Sequence, residues 1–343
     1  MKPKARLARY LQLIKGFRRV RLVVIGDLVA DEFIYGQLDR VSREAPVLIL
    51  KYDSTEVVPG GAGNAAANAA MLGARVEVVG IVGRDDAGAR LLGALPRSAR
   101  ASGVVRASGY VTPVKTRILA GGVHSAKQQV VRIDRAGGRP SPSVLRQVER
   151  ASVRAIRRAD AVIISDYGGG LATPDLWRRV RSAAGGRVPP LVFVDSRYAL
   201  DEYVGVTACT PNESEVEALL GQQIDDVPGA LESSGRALLD TVQCQAVLVT
   251  RGSRGMALFE PGHETDHIPI VGSDEVADVT GAGDTVIATF ALAAAAGASF
   301  AEAARLANYA GGLVVMKRGT ATVTGEELGT AIERDLEPGR RRS

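Results

Sequence analysis

Residues Asp278-Val279-Thr280-Gly281-Ala282-Gly283-Asp284 place two glycines and a carboxylate directly ahead of an apolar, Ala-rich run at 285–296. The glycines let the main chain approach a ligand closely and take dihedrals closed to other residues. The apolar run reads as a buried helix. A helix starting at this turn leaves its first N–H groups without intrahelical partners, with the positive end of its dipole behind them, and so forms a cradle for an anion. Asp284 falls in the first turn beside that cradle, where a carboxylate can take a proton from an attacking hydroxyl. Read alone, a Gly-rich helix entry with a first-turn charge is the simpler account, so other residues must decide.

Four other places offer chemistry. Asp27 follows the apolar run 21–25 at Gly26, where an open α/β sheet would present it to a ligand at a strand's carboxyl end; a turn Asp is the equal alternative. Asn64 follows Pro59-Gly60-Gly61-Ala62-Gly63, where an amide at a helix start can bond a polyol or simply cap the helix. Asn212 and Glu215, within Thr210-Pro211-Asn212-Glu213-Ser214-Glu215, share a helix face at i, i+3, which suits a capped surface helix or a site in which Glu215 holds a water of a phosphate-bound Mg²⁺. Thr250-Arg251-Gly252 lies between two apolar runs, as a hairpin or as the wall of a nucleotide pocket. Residues 61–66 also fit a loose dinucleotide fingerprint, the basis for a rival NAD-dependent oxidoreductase. That match is set aside because Pro59 and Gly60, rather than a strand end, precede it, and because the next strand ends in Gly80 without an acidic residue.

The elements that position these residues follow from periodicity. Leu7, Tyr10, Leu11, Leu13, Ile14 and Phe17 predict an amphipathic N-terminal helix, an extension over residues 1–20. From 142 onwards helix and strand alternate: helices at 144–157 and 174–184, strands at 161–165, 191–194 and 246–250, then helices at 282–296 and 300–316, the last carrying Asn308. That rhythm predicts a mostly parallel sheet flanked by helices. Short β-type runs at 33–36, 47–51 and 56–58, and others at 115–120 and 129–133 around Gly121-Gly122, predict a small separate sheet from about 33–58 and 110–134, placed as a lid.

Composition narrows the class. The 343 residues are 46% hydrophobic but only 4% aromatic, which suits helices packed on a parallel sheet and not a stacking platform for single-stranded nucleic acid. Net charge is +5, but eight Lys and Arg fall within residues 1–21, and Arg340, Arg341 and Arg342 lie in a basic tail at 333–343. Without those eleven, 32 basic groups face 38 acidic ones, so the body is acidic and no nucleic-acid partner is expected. Cys209 and Cys244 have no metal-ligand spacing, and no run approaches the ~20 apolar residues of a membrane span, so a soluble, cytoplasmic protein with no membrane partner is expected.

Taken together, the motifs resemble those of the ribokinase-like, or PfkB-type, carbohydrate kinases over about residues 20–330. Gly60-Gly61 with Asn64 is similar to the family's N-terminal glycine motif, Asn212 with Glu215 to its NxxE element, and 278–284 to its C-terminal signature, in the family's order. Within the family the chain looks most like the kinases of D-glycero-β-D-manno-heptose 7-phosphate. Gly26-Asp27, Ser42 to Pro46, Gln128-Gln129 with Arg132 and Asp134, and Ser165-Asp166-Tyr167 carry that likeness. In bifunctional relatives an adenylyltransferase domain with an HxGH element follows; His124, His263 and His267 form no such pattern, so the chain is read as the kinase half. Two positions depart, Gly169 where a Lys is expected and Asp195-Ser196-Arg197 where Asp-Pro-Lys is expected, which leaves another sugar or sugar phosphate as the alternative.

The resemblance implies an ATP-dependent sugar kinase in one ribokinase-like domain at 21–332. Asp284 would be the base, and the Gly281, Ala282, Gly283 and Asp284 turn would bind the transferring phosphoryl group. Asp27, Gly60, Gly61, Asn64, Arg132, Asp166 and Arg197 would hold the sugar phosphate. Asn212, Glu213, Ser214, Glu215, Thr250, Arg251, Gly252 and Asn308 would bind ATP. It further implies Mg²⁺ at Glu215 through water and K⁺ at Asp278 and Thr280, while the lid runs themselves motivate a homodimer through the small sheet, because an exposed sheet edge is best covered. A non-catalytic sugar or nucleotide sensor is a further alternative, against which Asp284 argues.

Overall fold

Along residues 21–26 side chains alternate between two cores: Leu22 and Val24 enter one cluster, Val23 and Ile25 the other, as a strand buried on both faces requires. The structure, a computed structural model, describes residues 3–121, 127–185, 190–224, 227–271, 278–317 and 319–337. Gly122, His124, Arg340, Arg341 and Arg342 lie outside the described residues. The strands are β1 (Arg21–Gly26), β2 (Leu28–Val41), β3 (Leu48–Gly61), β4 (Arg75–Gly83), β5 (Ala99–Ala107), β6 (Val114–Gly121), β7 (Gln128–Arg135), β8 (Ala161–Asp166), β9 (Leu191–Ser196), β10 (Ala208–Cys209), β11 (Ala246–Thr250), β12 (Met256–Phe259) and β13 (Asp266–Ile268). The helices are α1 (Pro3–Gly16), α2 (Ala62–Met71), α3 (Asp86–Ala94), α4 (Pro142–Ile156), α5 (Pro174–Ala184), α6 (Glu213–Leu220), α7 (Ala230–Val242), α8 (Ala282–Ala295), α9 (Phe300–Val315) and α10 (Gly325–Leu336).

The main sheet has the order β13-β12-β11-β10-β9-β8-β1-β4-β5. From β11 to β5 every neighbour is parallel, and β12 and β13 add an antiparallel edge. Side chains of α1, α2, α8, α9 and α10 share the core of one face, and those of α4, α5 and α7 the core of the other. The fold is the expected α/β class, a mostly parallel sheet flanked by helices. Leu7, Tyr10, Leu13 and Ile14 of α1 are buried in the first core.

A four-stranded sheet, β3-β2-β6-β7, stands apart from the main one. The expectation of three short runs within 33–58 is corrected here: two strands of 14 residues pair from Leu28↔Gly61 out to Val41↔Leu48, with Pro46 in the turn. Their outer halves are exposed, so ladder hydrogen bonds hold them without a buried face to impose alternating apolar residues. Both junctions with the body carry residues of interest. Asp27 separates β1 from β2, and Gly61 ends β3 directly before α2. The premise that no strand end precedes Gly61 is therefore also wrong, but β3 is antiparallel to β2 in the lid and opens no parallel βαβ unit, so the dinucleotide reading gains nothing.

Candidate active site

Gly281 precedes α8 at φ 77°, the left-handed region, and a Cβ there would lie 2.4 Å from Asn64 Nδ2, so both the turn and the close approach require glycine. The Ala282 amide donates to Val279 O at 3.2 Å and is thus spent within the turn. Among the described residues, the Gly283 and Asp284 amides have no backbone acceptor outside the helix, and at its first turn none lies within it. The turn therefore leaves the Gly283 and Asp284 amides for an anion, and not that of Ala282.

Asp284 is 3% exposed. Its Oδ2 accepts from Asn64 Nδ2 at 2.8 Å and its Oδ1 from the Tyr167 hydroxyl at 3.0 Å. Asn64 sits inside the first turn of α2, whose N-cap residue is Gly61, and its Oδ1 accepts from Asn68 Nδ2 at 2.9 Å. Its amide thus neither caps the helix nor stands free; it orients the carboxylate. Burial pushes Asp284 up to about 7, against the lowering effect of the Asn64 and Tyr167 hydrogen bonds. A carboxyl poised near neutrality is suited to taking a proton and giving it up again. Burial and the Asp284 charge hold the Tyr167 phenol well above its ordinary value, so it remains a donor.

Asp27 organises the loop after β8. Its Oδ2 accepts from the Tyr167 and Gly169 amides, each at 2.9 Å, and burial raises its pKa. Asp166 is likewise turned inward, accepting from Ser196 Oγ at 2.8 Å, Tyr203 OH at 3.1 Å and the Gly168 amide at 3.0 Å. Gly60 and Gly61 are buried where β3 pairs with Val29 and Leu28. Arg197 rests over the Tyr167 ring, its guanidinium 4.4 Å from the centroid. Arg132, exposed on β7, pairs with Asp134 at 2.7 Å.

The nucleotide-side residues divide between scaffold and cavity. Asn212 caps α6: its Oδ1 accepts from the Glu215 amide at 2.9 Å while Glu215 Oε2 accepts from the Asn212 amide at 3.0 Å, a capping box that accounts for their spacing. Glu213 holds Arg251 at 2.7 Å and Arg254 at 2.5 Å, tying α6 to the β11–β12 hairpin; Ser214 is exposed. That hairpin is at once the sheet edge and a wall. Thr250, Gly252, Ala282, Gly283, Val286 and Asn308 line a cavity of about 160 Å³ beside the Gly283 amide. Asn308 Nδ2 is fixed by Pro269 O at 2.7 Å. Asp278 accepts from the Thr280 amide at 2.9 Å and the Gly319 amide at 3.1 Å.

Three partners were missed as site residues. Tyr167 was visible only as part of a motif. Asp195, at the end of β9, is held well above the carboxylate range by burial and by the Glu215 and Asp284 charges; its position after an apolar run was the available signal. Lys115, whose ammonium lies 5.4 Å from the Tyr167 ring centroid, reaches the cleft only because β6 pairs with β2, which the sequence does not disclose.

Comparison with known proteins gives the family and the fold. The family described as pfkB family carbohydrate kinase matches residues 20–326. The bifunctional protein HldE of Trichlorobacter lovleyi is 39% identical over 91% of this chain, and that of Caulobacter vibrioides 40% identical over 92%. The chain spans 63% and 64% of those relatives' lengths. Among solved structures, Arabidopsis thaliana ribokinase complexed with ribose and ATP superposes with a TM-score of 0.69 at 22% identity, covering 92% of this chain and 99% of that one. Phosphofructokinase-2 from Escherichia coli in complex with potassium gives a TM-score of 0.74 at 18% identity, with the same coverage. These two likenesses carry the fold.

Proposed function

The chain belongs to the pfkB family of carbohydrate kinases, and from that premise we propose that it transfers the γ-phosphoryl group of ATP to O1 of D-glycero-β-D-manno-heptose 7-phosphate, giving the 1,7-bisphosphate and ADP. The observation that carries the reaction is Asp284, a buried carboxyl near neutrality at the first turn of α8, beside the Gly283 and Asp284 amides. The O1 hydroxyl gives its proton to Asp284 as its oxygen forms the bond to γ-phosphorus and the bond to the ADP oxygen breaks. The two amides stabilise charge on the transferring group, which is most of the work in such a reaction. Near its pKa, Asp284 then returns the proton to solvent. The choice of sugar rests on the motif resemblance and on relatives near 40% identity.

The residues fit a divalent cation accompanying ATP. Burial raises both Glu215 and Asp195, and the Glu215 charge raises Asp195 further, so a cation beside them would relieve that repulsion. We assign Mg²⁺ to that pair through water; bound there it would neutralise phosphate charge. K⁺ is assigned to Asp278 and Thr280; the two Asp278 oxygens retain lone pairs beyond the Thr280 and Gly319 amides.

ADP release across a panel of sugars, sugar phosphates and nucleosides tests the reading. Turnover of heptose 7-phosphate far above that of any other acceptor is expected; preference for a different sugar would move the chain elsewhere in the family, and turnover of none would overturn the kinase reading. The lid motivates a homodimer. Leu38, Val41, Leu48, Tyr52, Val131 and Ile133 are exposed on its strands, and β3 and β7 are open edges best covered by a second copy. Light scattering is expected to give twice the chain's mass of 36.0 kDa, and a monomeric mass rules the dimer out.

A further inference from the structure

Lys115 belongs to the lid and Arg197 to the body just past β9, yet both rest on the ring of Tyr167. Among the described residues neither has an ion-pair partner, and the carboxylates nearest Lys115 are committed elsewhere. Asp31, opposite Lys115 on β2, holds Arg117 at 2.7 Å, and Asp134, opposite it on β7, holds Arg132 at 2.7 Å. Lys115 is half-buried, and burial together with the Arg197 charge pushes its ammonium below its ordinary value. Two cations on one aromatic ring, Lys115 half-buried and Arg197 exposed, form an arrangement completed by an anion.

Gly169 explains why the charge comes from the lid. A Cβ at that position would lie 2.7 Å from Asp27 Oδ1, and the Gly169 amide donates to Asp27 at 2.9 Å. The lysine expected there from the resemblance would have to displace Asp27 from the loop it organises. Lys115 restores the missing charge from another direction.

We propose that Lys115 and Arg197 clamp the phosphate of an already phosphorylated sugar, with Tyr167 as the platform that sets them one aromatic ring away from Asp284. Lys115 is then the residue that makes the enzyme select a sugar phosphate over the free sugar. The Tyr167 hydroxyl bonds Asp284 at one end of the ring while the ring itself carries the cations, so the site measures the distance between accepting hydroxyl and phosphate. Because one cation stands on the lid and one on the body, the bound phosphate also draws the two together. The inference rests on the sugar-kinase reading and refines its acceptor end.

The test uses the full chain, wild type and the variants Lys115→Met and Lys115→Arg, with D-glycero-β-D-manno-heptose 7-phosphate and the dephosphorylated heptose. Lys115→Met is expected to raise KM for the sugar phosphate roughly 10- to 100-fold, the factor for losing one charge-assisted hydrogen bond. The KM for ATP and the weak use of free heptose stay unchanged, and Lys115→Arg recovers most of the loss. Equal loss on both acceptors, or an unchanged KM for the sugar phosphate, overturns the clamp. Calorimetric titration of the sugar phosphate without ATP separates this from the kinase reading. If wild type binds it but turns over no acceptor, the kinase reading fails and the clamp stands or falls on whether Lys115→Met weakens that binding.

Discussion

The two ends of the cleft are built differently. At the transfer end, Asp284, Asn64 and Asn68 are buried; Asn64 donates to Asp284 on the facing helix and accepts from Asn68 one turn along its own, so geometry is fixed before any ligand arrives. At the sugar end, Arg197 and Arg132 are exposed, Lys115 is half-buried, and the lid carries two of the three. Rigid placement on helices suits a reaction step that is the same for every acceptor, whereas charges on long side chains spanning lid and body suit a choice among acceptors. On the proposed reading, chemistry and specificity thus reside in separate elements, with Tyr167 touching both.

The largest effect that would break this division is at the transfer end. Asp284→Asn is expected to lower kcat by about 10²–10⁴-fold, the usual weight of a general base, while ATP still raises the melting temperature. Remaining turnover near wild type would remove Asp284 from the base role. The same variant carries a stability signature. Asp284 has an ordinary value of 3.8 and about 7 when folded, so between those values the folded state holds the extra proton. Its contribution therefore favours folding as pH falls from about 7 toward 4, and opposes folding above 7. Asparagine has no charge to bury and can accept from Asn64 while donating to the Tyr167 oxygen. At pH 8 the variant should melt a few degrees higher than wild type, with the difference shrinking toward pH 5. A lower melting temperature at pH 8 would mean that the carboxylate is better accommodated than its burial suggests.

The same contrast sets what could be read from the sequence. The transfer end announced itself because a left-handed turn at Gly281 and a helix start after it are local demands, satisfied by residues a few positions apart. The alternation of helices and strands after 142 was legible for the same reason. What remained hidden depends on pairing across the chain. Asn64 looked like a cap or a polyol ligand because its true partner, Asp284, is 220 residues away. Asn212 and Glu215 pointed the other way: a local capping box explains their spacing in full, so the spacing by itself says nothing about phosphate. Lys115 was hidden because β6 must pair with β2, and then stand over the body, before its ammonium meets Tyr167. The long lid strands were hidden because exposed β ladder leaves no apolar pattern.

A smaller effect, at the residue shared by both ends, sharpens the comparison most. Tyr167→Phe keeps the ring that carries Lys115 and Arg197 and deletes only the hydroxyl that donates to Asp284. That hydrogen bond lowers the pKa of Asp284, so its loss moves the carboxyl further up from about 7. The acid limb of the kcat/KM profile should shift to higher pH, and activity should fall more at pH 6.5 than at pH 8.5. Because one oriented hydrogen bond is lost, the drop in kcat at high pH should be about tenfold. If the platform and the base are separate functions of one side chain, KM for the sugar phosphate stays at its wild-type value throughout. A profile that keeps its shape while KM rises would show instead that the hydroxyl holds the ring in place, and the two ends of the cleft would then be one mechanical unit.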